Sequence, residues 1–144
     1  MENNVVRKSV LFLCTHNAVR SQMAEAFLNH LYGDRYSAFS AGSDPTRIDP
    51  LVVMVMKEIG MDVSANQSKN VSVFQGRHFD YVVTVCDHVQ ESCPYFPQGD
   101  NRIHKRFSDP SRFQGNAEDV MNEYRRVRDE IKAWVETEFH QAIK

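Results

Sequence analysis

The 144-residue sequence lacks the features that mark membrane, secreted and repetitive proteins. No apolar run is long enough to cross a bilayer, and the apolar stretch Ser9–Cys14 near the N-terminus is too short for a signal peptide. No repeat or Pro/Gly-rich linker divides the chain, so we expect one domain spanning residues 1–144. The net charge of −2 gives no support to the binding of nucleic acid or of a membrane surface.

Cysteine is also scarce. The three cysteines are an odd number, so they cannot all pair within the chain. Without a secretory signal, we expect a cytoplasmic protein whose thiols stay reduced and whose disulfides are transient. No heptad repeat or long apolar edge favours self-association, so we expect a monomer.

Short apolar runs alternate with amphipathic segments along the chain. Strands are expected at Ser9–Leu13, Tyr36–Ser40, Tyr81–Val85 and near Arg102–Lys105. Alternation of strands and helices predicts an α/β fold with a four-stranded parallel sheet and helices on both faces. Ligands bind such sheets beyond the carboxyl ends of the strands, and this is where Cys14 and Cys86 fall.

The spacing of apolar residues predicts three helices. The first carries Met23, Phe27 and Leu31 and stops at Gly33, whereas the second starts at Asp49-Pro50 and ends at Gly60. The apolar face of the second helix is expected to consist of Leu51, Met54, Val55 and Ile59. The third helix runs from about Ala117 to Phe139, with a core face of Val120, Tyr124, Val127, Ile131, Trp134 and Val135.

A cysteine and an arginine separated by five residues lie between the first strand and the first helix. The backbone N–H groups of such a loop can converge on an anion, and the N-terminus of the helix adds unpaired N–H groups. Arg20 offers a planar fork to two oxygens of a tetrahedral oxyanion, and the same positive field favours a nucleophilic thiolate at Cys14. The alternative is a buried cysteine with a surface arginine nearby, but the strand-to-helix context favours the anion loop.

The predicted anion-binding residues are the loop positions themselves. Asn17 tolerates the left-handed backbone that a tight anion loop needs, and Ser21 can donate a hydrogen bond to the sulfur of Cys14. The substrate-binding set is therefore expected to comprise Thr15, His16, Asn17, Ala18, Val19, Arg20 and Ser21.

The segment from Cys14 to Ala26 resembles the active-site segment of thiol-dependent arsenate reductases, which share the fold of low-molecular-weight protein tyrosine phosphatases. Within it, the order Ser21-Gln22-Met23-Ala24-Glu25 favours the reductase branch. The resemblance covers nearly the whole chain, continuing through Ser40–Gly42, Cys86–Pro94, Asp109-Pro110 and Arg125–Ile131. Two positions depart from the commonest pattern, because His16 stands where many members have glycine and Val19 where many have a second cysteine.

The resemblance gives the other two cysteines a part in the reaction. It implies that Cys14 attacks arsenate, that Cys86 then attacks Cys14 and releases arsenite, and that Cys93 moves the disulfide outward to Cys86–Cys93. It also implies thioredoxin as the external reductant and no bound cofactor. The polar stretch Gln90–Ser92 is expected to permit the movement.

Cys86 and Cys93 are open to two other interpretations. They could join Cys14 and His88 in a zinc site, but their spacing is wrong for a structural zinc knuckle and no second pair exists. They could also be two small buried hydrophobic residues, which suits Cys93 poorly because it precedes a proline in a polar loop.

An acid for the leaving oxygen is expected at Asp109. The residues alone are equally compatible with a simple turn, and it is the resemblance that implies a general acid. Some of the similar reductases bind potassium beside the loop, and Asn17, Glu25 and Ser40 match part of that site. Gln67 and Lys69 replace the other ligands, so we predict that Lys69 supplies the positive charge and that no metal binds.

The function predicted from the sequence is therefore reduction of arsenate to arsenite for arsenic detoxification. A low-molecular-weight tyrosine phosphatase is the first alternative, since it shares the loop and the aspartate. Such phosphatases usually carry aromatic residues directly after the Asp-Pro pair, where this chain has Ser111-Arg112. The second alternative is a non-catalytic anion-binding module, which would have no use for a nucleophile and an acid.

Overall fold

A parallel sheet lies at the centre of the protein in a computed structural model, which describes residues 6–87, 91 and 93–140. Its strands are β1 (Lys8–Cys14), β2 (Tyr36–Gly42), β3 (Phe79–Thr84) and β4 (Gly99–His104), and their order across the sheet is β2-β1-β3-β4. All neighbouring pairs are parallel, and Leu13 lies opposite both Ala41 of β2 and Thr84 of β3. The carboxyl ends of the two central strands therefore lead directly into Cys14 and toward Cys86.

The two faces of β1 pack against different layers, because successive side chains of a strand point to opposite faces. Val10 and Phe12 join a large core with three helices, α1 (Arg20–Tyr32), α2 (Pro50–Lys57) and α3 (Ala117–His140). Leu11 and Leu13 join a smaller core on the other face, which is covered by a 3-10 helix, Val71–Phe74, and by Phe96. The predicted four-stranded parallel sheet, with helical segments packed against its faces, is confirmed.

The predicted core faces of α2 and α3 were wrong in detail. In α2 the buried residues are Val52, Val55 and Met56, whereas Met54 is 53% exposed and Ile59 lies beyond the helix and is 38% exposed. The sequence of α2 is apolar on all sides, so periodicity does not select its buried face.

In α3 the buried set includes Phe139 and Arg128, which periodicity had left out, while Val120 and Trp134 are only partly buried. The Arg128 guanidinium can lie at the buried face because it donates to the Val55 carbonyl at 2.8 Å and to Glu58 at 2.9 Å. Among the described helices, none combines the length and the apolar character that crossing a membrane would require.

Candidate active site

Three carbonyl groups of the loop between β1 and α1, residues 14–20, point toward the neighbouring segment 44–49. The carbonyls of Thr15, His16 and Ala18 accept hydrogen bonds of 2.8, 3.2 and 3.1 Å from backbone N–H groups of the segment 44–49. In a trans peptide the N–H points opposite to the carbonyl of the same unit. The N–H groups that follow these carbonyls therefore point away from segment 44–49.

Asn17 adopts the left-handed backbone conformation that the sequence predicted, with φ of 51°. Its buried side chain donates to Ser21 Oγ at 2.8 Å and accepts from the Lys69 backbone N–H at 2.8 Å. Its carbonyl accepts from Ser68 Oγ at 2.7 Å and from Gln22 Nε2 at 3.0 Å. These partners hold the turn of the loop in one conformation, because each buried polar atom would lose its hydrogen bond if Asn17 moved.

Gly42, at the end of β2, lets the loop pack directly on the sheet. A Cβ atom at this position would lie 2.4 Å from the Thr15 carbonyl oxygen and 2.8 Å from the Cys14 carbonyl oxygen. Only a residue without a side chain fits this close approach of two backbones.

Cys14 is a free, buried thiol at the base of the loop. Its Sγ lies 2.9 Å from Ser21 Oγ, as predicted from the sequence. Cys86 is buried in the same core, and its Sγ lies 3.9 Å from the carbonyl oxygen of Leu13, the residue before Cys14. Adjacent parallel strands thus bring the two sulfur-bearing residues to one edge of the sheet.

Cys86 and Cys93 are joined by a disulfide with a Cα–Cα distance of 6.0 Å. Cys86 is fully buried, whereas Cys93 is partly exposed. Residues 88–90 and 92 lie outside the described residues. They include His88 and most of the polar stretch Gln90–Ser92. Within the described part of the chain, no cluster of three or more His, Cys, Asp or Glu side chains is suited to a metal ion.

Arg20 is buried and forms a bidentate ion pair with Glu91. Its Nη1 lies 2.5 Å from Oε2 and its Nη2 lies 2.9 Å from Oε1 of that carboxylate. Burial acts against the charge of Arg20, but the Glu91 hydrogen bond and the charges of Cys14 and Asp109 outweigh it and raise the pKa of the guanidinium. The Arg20 Nε is a buried donor without a hydrogen-bond partner among the described residues.

The sequence predicted Glu91 only as part of a polar stretch that permits movement, and not as a partner of Arg20. Burial of its carboxylate opposes ionisation, but hydrogen bonds from Arg20 and Thr15 outweigh this effect and lower the pKa of Glu91 to about 2. A contact between residues 71 positions apart leaves no periodic or motif signal in a single sequence.

Asp109 caps a short helix and also faces the loop. Its Oδ1 accepts from the backbone N–H and the hydroxyl of Ser111, at 2.9 and 2.6 Å, and so caps a 3-10 helix, Pro110–Arg112. Its Oδ2 faces the loop and lies 3.6 Å from Arg20 Nη2. The turn thus fixes the orientation of the carboxyl group and leaves one oxygen directed toward the anion site.

A cavity of about 340 Å³ opens above the loop. It is lined by Cys14, His16, Ala18, Val19, Arg20, Thr46, Arg47, Asp49, Pro50, Asp109 and Ser111. The predicted nucleophile, arginine and acid therefore meet in one place. No Phe, Tyr or Trp is among these lining residues. The His16 side chain is 47% exposed and its Nδ1 lies 2.9 Å from the Asp44 carbonyl, at the rim of the cavity.

Asp49 belongs to the cavity wall, although the sequence indicated it only as a helix cap. It does cap α2, accepting from the Leu51 N–H at 2.9 Å, and its other oxygen accepts from the Tyr124 hydroxyl at 2.6 Å. Burial and this carboxylate raise the pKa of Tyr124, so the hydroxyl stays protonated. The pair joins α2 and α3 beside the loop.

Beside the loop, Ser40 donates a hydrogen bond to the carboxylate of Glu25. Burial raises the pKa of Glu25, while the Ser40 hydrogen bond and the charge of Lys69 act in the opposite direction. The ammonium group of Lys69 donates to the Gln67 carbonyl at 3.1 Å. The positive charge of Lys69 thus acts on the Glu25 carboxylate. This is the place where the sequence predicts a lysine instead of a metal ion.

Known proteins resemble this chain in both sequence and structure. The family model described as low molecular weight phosphotyrosine protein phosphatase matches residues 9–144. The arsenate reductase of Halalkalibacterium halodurans is 39% identical over 131 residues, which cover 91% of this chain and 94% of the relative.

Two solved structures extend the comparison. An arsenate reductase in its phosphate-binding state has a TM-score of 0.75 at 28% identity, covering 90% of this chain and 95% of the other. A thioredoxin-dependent arsenate reductase of Corynebacterium glutamicum has a TM-score of 0.60 at 28% identity, covering 94% of this chain and 65% of the other.

Proposed function

The chain belongs to the low molecular weight phosphotyrosine protein phosphatase family, and we propose that it is a thioredoxin-coupled arsenate reductase that acts in arsenic detoxification. The observation that carries this proposal is the pairing of two features. A free, buried Cys14 lies in an anion-binding loop, and a disulfide between Cys86 and Cys93 lies beside it. The names of the similar proteins support the same reaction.

Binding of arsenate would use donors that are already in place. The N–H groups of residues 16, 17 and 19, which point away from segment 44–49, and the guanidinium of Arg20 would donate to the anion. The unpartnered Nε of Arg20 supplies one donor, and an Nη atom released by Glu91 supplies a second. Two such parallel N–H groups match two oxygens of a tetrahedral oxyanion.

The first chemical step is attack of the Cys14 sulfur on arsenic. A sulfur–arsenic bond forms, and one arsenic–oxygen bond breaks with loss of water. Asp109 would supply the proton for the leaving oxygen, since its Oδ2 faces Arg20 at the cavity. Arg20 and the loop N–H groups hold the charge on the remaining oxygens.

Two thiols supply the two electrons of the reduction. Cys86 attacks the Cys14 sulfur, the sulfur–arsenic bond breaks, and its electron pair leaves with arsenic as arsenite. Cys93 then attacks Cys86, which transfers the disulfide outward and returns Cys14 as a free thiol. The Cys86–Cys93 disulfide with free Cys14 is the arrangement expected after these steps.

The reductant must reach the disulfide from outside. Cys93 is partly exposed and Cys86 is fully buried, which makes Cys93 the more accessible residue of the pair. We take thioredoxin as the partner, because one of the similar structures is a thioredoxin-dependent enzyme. A cytoplasmic monomer with arsenate as its substrate fits this cycle, and the chain's own residues carry the chemistry without a bound cofactor.

A tyrosine phosphatase would share the nucleophile, the arginine and the acid. It would not need a second thiol pair, and it would need aromatic walls to stack against a phenyl ring. In this protein no Phe, Tyr or Trp is among the residues that line the cavity. These two observations favour reduction over dephosphorylation.

A single turnover with mapping of the thiols tests the proposal. Fully reduced protein is mixed with arsenate, and arsenite and disulfides are quantified by mass spectrometry. Wild type should release one arsenite and form Cys86–Cys93. Cys93→Ser should release one arsenite and stop at a Cys14–Cys86 disulfide, whereas Cys86→Ser should release none. Wild-type turnover by both variants would refute the relay.

A further inference from the structure

The carboxylate of Glu91 occupies the position that an oxyanion needs on Arg20. Its two oxygens lie 2.5 and 2.9 Å from the two terminal nitrogens of the guanidinium. The second of these oxygens also accepts from Thr15 Oγ1, a residue of the loop itself, at 2.5 Å. A carboxylate presents two oxygens in one plane, which is the same bidentate match that arsenate or phosphate would make.

This ion pair is shielded from solvent. The side chain of Arg20 is 3% exposed and that of Glu91 is 11% exposed. A surface ion pair exchanges readily with water and salt, but a buried, bidentate pair must be displaced by a ligand of similar charge. An incoming oxyanion therefore competes with Glu91 for the same donors.

The disulfide encloses Glu91 in a short ring. Glu91 lies between Cys86 and Cys93, which are seven positions apart. Its N–H donates to the Asp87 carbonyl at 3.0 Å, and its carboxylate accepts from the Asp87 N–H at 2.9 Å. Asp87 is itself paired with Arg106, with Nε 3.1 Å from Oδ2. The disulfide and the two hydrogen bonds with Asp87 thus hold Glu91 beside Arg20.

We propose that Glu91 is an internal ligand of the anion site, which it closes when Cys86 and Cys93 are joined. The benefit of this closure to the enzyme rests on the proposed function. In the oxidised form Cys14 is free to attack arsenate, but the thiols that must complete the reduction are already bonded to each other. Closure by Glu91 prevents this unproductive adduct. Reduction releases Cys93, and arsenate then displaces Glu91.

Binding of inorganic phosphate tests the proposal without any arsenic chemistry. The full chain is prepared once with the Cys86–Cys93 disulfide and once fully reduced, and phosphate affinity is measured by calorimetric titration. If the oxidised site is closed nine-tenths of the time, its apparent Kd is about tenfold higher than that of the open site. Oxidised Glu91→Gln should bind phosphate about as tightly as reduced wild type. Glu136→Gln removes one charge from the exposed face of α3, and it should behave as wild type in both forms.

Two results would overturn the proposal. One is equal phosphate affinity of oxidised and reduced wild type, which requires no variant. The other is oxidised Glu91→Gln that binds phosphate as weakly as oxidised wild type. The proposed function has a separate outcome, because absence of arsenite release alongside redox-dependent phosphate binding would refute the reductase and leave closure by Glu91 standing. Arsenite release together with equal phosphate affinities of the two redox forms would refute closure by Glu91 and leave the reductase standing.

Discussion

Two regions meet at Arg20, and they are built in opposite ways. The loop 14–20 is fixed by backbone bonds from segment 44–49 and by side-chain bonds around Asn17. The segment from Cys86 to Cys93 meets the loop through the carboxylate of Glu91, and its ends are joined by a disulfide. Recognition of a tetrahedral anion requires donors in fixed positions, whereas a thiol relay requires sulfur atoms that change partners.

In the proposed cycle, the chain separates recognition from electron transfer. The loop would supply a rigid site and one nucleophile, and the second segment would supply the electrons. Substitutions in the loop should therefore weaken anion binding or chemistry in every redox state. Substitution of Glu91 should instead strengthen anion binding, and only in the oxidised state.

The largest effect is expected for Cys14→Ser, which should lower arsenite release by about 1,000-fold or more, because the oxygen nucleophile does not replace the thiol as an electron donor. Release is measured in a single turnover. The thermal unfolding midpoint should change little, since the side chains are similar in size. Comparable arsenite release by this variant would place the nucleophile outside the loop.

The next effect concerns the rigidity of the loop. Asn17→Ala removes bonds to Ser21 and Lys69 and puts alanine in a left-handed conformation, so it should cost about 2–4 kcal/mol of unfolding free energy. Urea denaturation measures this cost. The matched control is Asn70→Ala, which loses only a cap of the 3-10 helix and should cost about 1 kcal/mol. Equal costs would show that the loop is not specially constrained.

A smaller effect depends on pH. Since the pKa of folded Glu91 is lowered to about 2 from an ordinary 4.5, the stability it contributes is complete above about pH 5 and is lost as the pH falls toward 2. At pH 7 the unfolding free energy of oxidised wild type should exceed that of oxidised Glu91→Gln by about 1–3 kcal/mol, and this difference should shrink in acid. A difference in unfolding free energy that grows on acidification would contradict the ion pair.

The smallest expected effect is that of potassium. Lys69 places positive charge near Glu25, so exchanging sodium for potassium should leave arsenate reduction within about twofold. Steady-state rates at equal ionic strength measure this. A several-fold increase in the rate with potassium alone would indicate a cation site beside the loop. Lys69 would then not replace the metal ion.

Local patterns in the sequence predicted most of the fold and much of the site. The four strands follow from short apolar runs, and the left-handed Asn17 and the contact of Ser21 with Cys14 depend on residues close in sequence. The buried face of α2 could not be predicted, because that helix is short and apolar all round. Glu91 was missed for a different reason, since its pairing with Arg20 depends on how the chain returns to the sheet edge.

The contact between Arg20 and Glu91 also couples two equilibria. If closing the disulfide weakens phosphate binding, linkage requires bound phosphate to favour opening of the disulfide by the same factor. A tenfold difference in affinity corresponds to about 30 mV in the midpoint potential of a two-electron couple. An oxyanion that is never reduced would thereby act as an effector of the cycle, shifting the protein toward its dithiol form.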